Sequence, residues 1–218
     1  GAGALKYGGS ALGGVIISET LKTKLIDSLY GKLYSSASTN GKGGTITTDI
    51  TKTKSKGWYT RFQGTFKRFG DYNTSNYIMS NTGLSERNFS LKTGLNRIDY
   101  GFEVYYSFFN NETGILRAAH LVSAQDIFRG ITNGTPLIIE DFTYEIDAPK
   151  QKIKHNLAKF NIFKTFDIGK FNFQYDFQSN KRQEFDIRRG DVRNTPSIDL
   201  ELTTHSLSLD FDSRFSNN

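Results

Sequence analysis

Apolar and polar residues alternate with a period of two over much of the chain. From Trp58 to Phe69 the even positions Trp58, Phe62 and Phe66 carry rings, with Thr60 and Gly64 between them, whereas the odd positions Tyr59, Arg61, Gln63, Thr65 and Lys67 are mostly polar. Successive side chains of an extended strand point to opposite faces, so the pattern predicts a strand with one apolar face. The same alternation sets Phe89, Leu91 and Leu95 against Asn88, Ser90, Lys92 and Asn96, and Tyr100, Phe102, Val104, Tyr106 and Phe108 against Glu103 and Ser107. Phe171, Phe173, Tyr175 and Phe177 oppose Asn172, Gln174, Asp176 and Gln178. Weaker alternation predicts strands over roughly 29–39, 44–53, 154–166 and 197–213. The last places Ile198, Leu200 and Leu202 on one face but Leu207, Leu209 and Phe211 on the other, which predicts a bulge near Thr204 to Ser206. Helical spacing fits none of these runs, and the expected fold is all-β: an antiparallel meander of about eight strands.

The segments between strands carry a second pattern. Gly41 to Gly43 and Ser55 to Gly57 read as tight turns, 96–98 and 167–169 are short, and 70–86, 111–153 and 179–196 are long. After the first hairpin short turns and long loops alternate, and in a meander every second connection lies at the same end, so one end has tight turns and the other long loops. Outer-membrane barrels have this layout, with short periplasmic turns and longer extracellular loops. A soluble sandwich or barrel would bury the Phe faces, whereas a membrane barrel turns them to lipid and gives Arg61, Lys67, Lys92 and Glu103 a hydrated lumen. Strands longer than soluble sheets usually have, with rings toward their ends, favour the membrane arrangement. Within 111–153, Leu116, Ala119, Val122, Ile127 and Ile131 come near helical spacing, which predicts a short helix over Leu116 to Ile131 with a stop near Gly130.

Composition sharpens this picture. The chain holds 18 Phe, 11 Tyr and a single Trp at negative mean hydropathy, as expected if many rings sit beside many polar groups. No run approaches the roughly 18 apolar residues a membrane-spanning helix needs. The absence of cysteine rules out disulfides, thiol nucleophiles and Cys-based metal sites. A net charge of +6 is modest, and no nucleic-acid-binding motif accompanies it. Lys181, Arg182, Arg188, Arg189 and Arg193 form a basic stretch expected in an outward loop, suited to the phosphates of lipopolysaccharide.

Enzyme motifs fail on inspection. Gly1-Ala2-Gly3-Ala4-Leu5-Lys6 lacks the last glycine of a dinucleotide fingerprint, and no βαβ unit follows. Gly8-Gly9-Ser10-Ala11-Leu12 has Leu12 where a nucleophile elbow requires glycine. His120, His155 and His205 lack metal-ligand spacing. No catalytic residue, metal site or cofactor is expected.

The glycine-rich start, with neither an initiator Met nor a secretory signal, reads as an internal excerpt. Tyr7, Gly8, Gly9 and Ser10, followed by Gly13, Gly14 and Val15, resemble the segment that ends the plug of TonB-dependent outer-membrane receptors. The family usually has Asn after this segment's GGVI, where this chain has Ile17. Asn81-Thr82-Gly83 with Arg87-Asn88-Phe89-Ser90 resembles early barrel sequence of the Bacteroidetes type. So do Gly114-Ile115-Leu116-Arg117 with His120, Phe142-Thr143-Tyr144 leading to Pro149, Gln151 and His155, and Glu184 to Gly190 before Leu200 to His205. The resemblance implies that 1–24 is the end of a plug and 25–218 the first part of a barrel. Such plugged barrels have about 22 strands. It further implies uptake of a scarce solute, foremost a ferric siderophore, then cobalamin or an oligosaccharide. Energy would come through the TonB complex, docked on a part of the plug absent here, and outer-membrane lipid would surround the wall. A soluble β-rich carbohydrate-binding or structural module is the expectation from another class. Arg117, His120, Gln125 and Asp126, in the longest loop, are the candidate contacts for arriving solute.

Overall fold

The computed structural model describes residues 26–119, 123–187 and 195–213. Residues whose period-two pattern marks them as strands pair with their sequence neighbours. The first three strands are β1 (Ser28–Ser38), β2 (Gly43–Thr53) and β3 (Trp58–Phe69), and a small hairpin follows, β4 (Tyr72–Asn73) with β5 (Ile78–Met79). Then come β6 (Leu84–Asn96), β7 (Tyr100–Gly114), helix α1 (Ala124–Asn133), β8 (Lys150–Phe166), β9 (Gly169–Phe185) and β10 (Ile198–Ser213). Eight of the strands form one sheet in the order β1-β2-β3-β6-β7-β8-β9-β10, every described pairing antiparallel. Among the described residues β1 and β10 do not pair with each other, so the sheet is open, with two edges.

Beyond the first hairpin, short and long connections segregate as expected. Residues 54–57, 97–99 and 167–168 turn tightly at one end; 39–42, 70–83, 115–149 and 186–197 lie at the other. At the tight end Gly57 (φ 90°) donates its N–H to Lys54 O (2.9 Å), and its own carbonyl accepts from Asn96 N (2.9 Å). A Cβ there would strike the Asn96 carbonyl, so only glycine fits this turn. Asp27 Oδ1 accepts from Ser55 N (2.7 Å) and fastens the start of β1 to the same turn. That bond, with the nearby Lys54 and Lys56 charges, holds the Asp27 carboxyl below the ordinary carboxylate range.

Several sequence expectations are corrected. The long loops are shorter than 70–86, 111–153 and 179–196, because β6 starts at Leu84, β7 runs to Gly114, β8 starts at Lys150 and β9 runs to Phe185. The expected bulge at Thr204 to Ser206 is absent: β10 pairs residue for residue with β9 from Ile198↔Glu184 to Ser213↔Gly169. Leu200 and Leu202 therefore do lie opposite in facing to Leu207, Leu209 and Phe211, on a continuous strand. The helix in 115–149 begins later than expected, at Ala124 behind a short 3₁₀ turn at Arg117–Ala119, and passes through Gly130. It stops at Gly134, whose left-handed φ of 69° lets its N–H reach the carbonyls of Gly130 and Ile131. Lys181 and Arg182 lie within β9 on opposite faces rather than in a loop; Arg188, Arg189 and Arg193 lie outside the described residues, as does the segment read as the plug end.

Candidate functional site: a two-faced wall with a bonded rim

The registers sort the side chains of the large sheet onto two faces. Trp58, Leu95, Phe102, Ile162, Phe173 and Leu209 form one row across β3 and β6–β10. Phe62, Leu91, Tyr106, Ala158, Phe177 and His205 form another on the same face, and Ile46, Ile50, Leu29 and Leu33 continue that face across β2 and β1. On β7 the apolar run extends from Tyr100 to Phe108 and on β8 from Ala158 to Phe166, interrupted by Lys164. Each run is about nine residues, close to the 9–11 of a tilted membrane-spanning strand. Its rings are open: Phe66 and Trp58 are each 48% exposed. Among the described residues the buried apolar side chains are Leu95, Ile146, Phe185 and Pro149, too few and too scattered to make a core under the apolar face of the sheet.

The opposite face is polar and cross-linked by charge. Arg61 Nε donates to Asp49 Oδ1 (2.9 Å) and a second guanidinium N–H reaches Oδ2. Tyr59 Oη donates to Glu103 Oε2 (2.7 Å), whose other oxygen lies 3.3 Å from Lys92 Nζ. The Tyr59 ring reaches across Gly94, the residue paired between it and Glu103, and a Cβ at Gly94 would meet its hydroxyl at 2.9 Å. Lys67 Nζ and Glu86 Oε2 are 3.5 Å apart. The side chains of Glu86 and Lys92 are only 15% and 17% exposed. Glu86 and Lys92 are thus better sheltered than the rings on the other face. A pocket of about 230 Å³ opens there among Tyr30, Tyr34, Asp49, Tyr59, Arg61 and Glu103.

Above the apolar run the polarity reverses. Asn110, Glu112, Lys152, Lys154 and Lys181 stand on the face that carries rings lower down, while Ile153, Leu200 and Leu202 stand on the other. This reversal, with no bulge, accounts for the switched facing of β10.

The long-loop end contains the most buried polar groups. Asp71 (1% exposed) accepts from Thr82 N (2.9 Å) and Thr143 N (3.2 Å). Asn81, in a left-handed conformation (φ 64°), aims its amide nitrogen at the carbonyls of Ile115, Asp147 and Pro149 (2.8–3.0 Å), and its Oδ1 accepts from Asp147 N (2.9 Å). Ser80 Oγ accepts from Glu140 N (2.7 Å). Tyr144 Oη donates to Lys42 O (2.6 Å), and Lys42 Nζ sits 4.3 Å from the centre of the Phe142 ring. Three connections, 39–42, 70–83 and 115–149, are therefore bonded into one rim. Two quoted motifs, Asn81-Thr82-Gly83 and Phe142-Thr143-Tyr144 with Pro149, meet in it.

The candidate solute contacts are not gathered into one cluster. Arg117 pairs with Glu140 (2.6 Å) and Asp147 (3.4 Å), while its Nε is buried without a partner. Asp126 closes the start of α1: its N–H donates to Ser123 Oγ (3.2 Å), which donates to Asp126 Oδ2 (2.9 Å). Gln125 is exposed on α1. His120 and the plug-motif residues Tyr7, Gly8, Gly9, Ser10, Gly13, Gly14 and Val15 lie outside the described residues. Sequence reasoning passed over Asp71 and Ser80; the signal available was a small polar run, Ser80 to Gly83, between two strands.

Comparison with known proteins finds no match among family models, curated proteins or solved structures.

Proposed function

We propose that the chain is part of the wall of a TonB-dependent outer-membrane receptor that takes up a scarce solute, foremost a ferric siderophore, without covalent chemistry. The single observation behind this is the exposed apolar face, about nine residues tall on β7 and β8 and carried across the neighbouring strands, the height a tilted spanning strand requires. The polar face then lines the lumen, and the bonded rim lies outside the cell, where the 115–149 connection carries Arg117, His120, Gln125 and Asp126 toward arriving solute. Cobalamin and oligosaccharide are the other solute classes of this proposal.

The chain contains no cysteine, so single cysteines report facing cleanly in a receptor whose other cysteines are removed. In outer membranes a water-soluble maleimide is expected to label cysteine at positions 61, 103 and 174 but not at 62, 104 and 175. Equal labelling of both sets, or a receptor that stays dispersed without detergent, rejects the membrane wall in favour of a soluble β-rich module.

A further inference from the structure

The cavity on the polar face lies well away from the rim. β1 sends Tyr30, Lys32 and Tyr34 to that face, opposite Thr51, Asp49 and Thr47 of β2, and Thr51 in turn stands opposite Arg61 of β3. From Arg61 to Phe69 at the rim end of β3 is roughly 26 Å along the strand, so the cavity is separate from Arg117, Gln125 and Asp126 in the 115–149 connection. Its volume of about 230 Å³ falls below the roughly 300–1,000 Å³ of pockets for drug-sized ligands, and suits one ring-sized group. Two of its lining residues are open phenol rings, Tyr30 (43% exposed) and Tyr34 (58% exposed). Lys32 stands between them on the strand. Its register partner Asp49 is already held by Arg61 through both carboxylate oxygens, and among the described residues Lys32 has no acid within ion-pair distance. Glu103, also in the lining, is shared by Tyr59 (2.7 Å) and Lys92 (3.3 Å). Lys32, Arg61 and Lys92 set against Asp49 and Glu103 leave one positive charge over.

We propose that this cavity binds a sugar acid, a polyhydroxylated ring carrying a single carboxylate. Lys32 takes the carboxylate in a charge-assisted hydrogen bond. Asp49 and Glu103 keep lone pairs beyond those their partners use, and Arg61 keeps N–H groups beyond the two given to Asp49. Donors and acceptors therefore stand side by side in fixed positions, which suits hydroxyl groups, since each of these both donates and accepts. The open Tyr30 and Tyr34 rings offer apolar faces to the C–H side of the sugar ring. The two acids also repel any second negative charge on the ligand, which selects a single carboxylate over a polyanion. The site needs the polar face to be wet and does not need the opposite face to meet lipid, so it is independent of the membrane-wall proposal.

The test uses the full-length protein and titrates D-glucuronate by saturation-transfer NMR, with glucose, benzoate and acetate as comparisons. Wild type, K32Q, the charge-conserving K32R, Y30A/Y34A and K159Q are compared; Lys159 lies on the same face, on β8, outside the cavity. Circular dichroism reports folding separately. Wild type is expected to bind glucuronate more tightly than any of the comparisons. K32Q is expected to weaken glucuronate binding roughly tenfold or more and to leave glucose binding unchanged. K32R and K159Q keep glucuronate, and Y30A/Y34A weakens glucuronate and glucose alike. Wild-type glucuronate binding by folded K32Q overturns the site, and so does a wild type that binds no glucuronate. Equal binding of acetate overturns the assignment of a ring, and equal binding of benzoate that of its hydroxyls. Equal maleimide labelling at positions 61 and 62, beside glucuronate binding that depends on Lys32, supports this site and removes the membrane wall alone.

Discussion

Asp27 carries little bulk and no burial, yet its carboxylate is the acceptor that ties β1 to the 54–57 turn. Because its folded pKa lies below the unfolded one, its contribution is present above the unfolded value and fades as pH falls through the folded value. A carboxyl titration followed by NMR is expected to place Asp27 below ordinary aspartates, and D27N should flatten the acid side of the stability profile. An Asp27 titrating at or above the ordinary value rejects the bond. Gly57 makes a sharper demand. G57A forces a left-handed φ on a residue with a Cβ and drives that carbon into the Asn96 carbonyl, so a loss of at least about 1–2 kcal/mol is expected in urea unfolding. At the rim, N81A leaves three carbonyls and the Asp147 N–H without their side-chain partner. Removing such buried partners costs about 1–3 kcal/mol. Hydrogen exchange should therefore accelerate at residues 115, 147 and 148 and stay slow in the centre of β7 and β8; unchanged exchange at the rim refutes the bonding role.

Strands and loops divide cleanly in how far the sequence reveals them. Where rings alternate with polar residues, as in Tyr100 to Phe108 or Phe171 to Phe177, both the strand and its facing were readable, because period two is the geometry of an extended chain. The upper portions of β7, β8 and β9 were missed for a physical reason. Lys150 to Lys154 and Ser179 to Glu184 carry polar groups on both faces, so no alternation marks them, although their backbones pair as regularly as the rest. The helix was placed too early because Leu116 and Ala119 mimic its spacing, whereas the boundary is set by the Ser123–Asp126 cap. The rim was illegible for another reason: its partners are far apart in sequence, Asp71 with Thr143 and Asn81 with Pro149. Facing has a direct energetic consequence. Val104 stands midway along the apolar run of β7, so in the proposed membrane wall V104R is expected to cost insertion about 2–4 kcal/mol in a folding titration into lipid, with Q174R on the other face near neutral. Equal costs reject the assignment. Helix α1 has no buried residue, so in the proposed receptor excising 124–133 should leave surface abundance unchanged while lowering solute affinity; wild-type affinity removes Gln125 and Asp126 from the proposed solute contacts.

At the scale of the molecule, every strand of the large sheet pairs with the next large strand in the chain, and among the described residues the two unpaired edges are β1 and β10. An exposed edge invites further pairing, and in the proposed receptor β10 is where the following strands of the barrel continue. The plain up-and-down order also governs how such a wall can be built. Each hairpin brings together residues already close in sequence, so the sheet can grow by adding one strand at a time to a finished edge, and the slow search for distant partners is avoided. The exceptions are the rim bonds, which join 39–42, 70–83 and 115–149 across intervening strands. Bonds between 39–42 and 70–83, such as Gly70 N to Gly41 O, need only the first three strands, whereas those to 115–149 need the chain beyond β7, so that part of the rim is expected to close later.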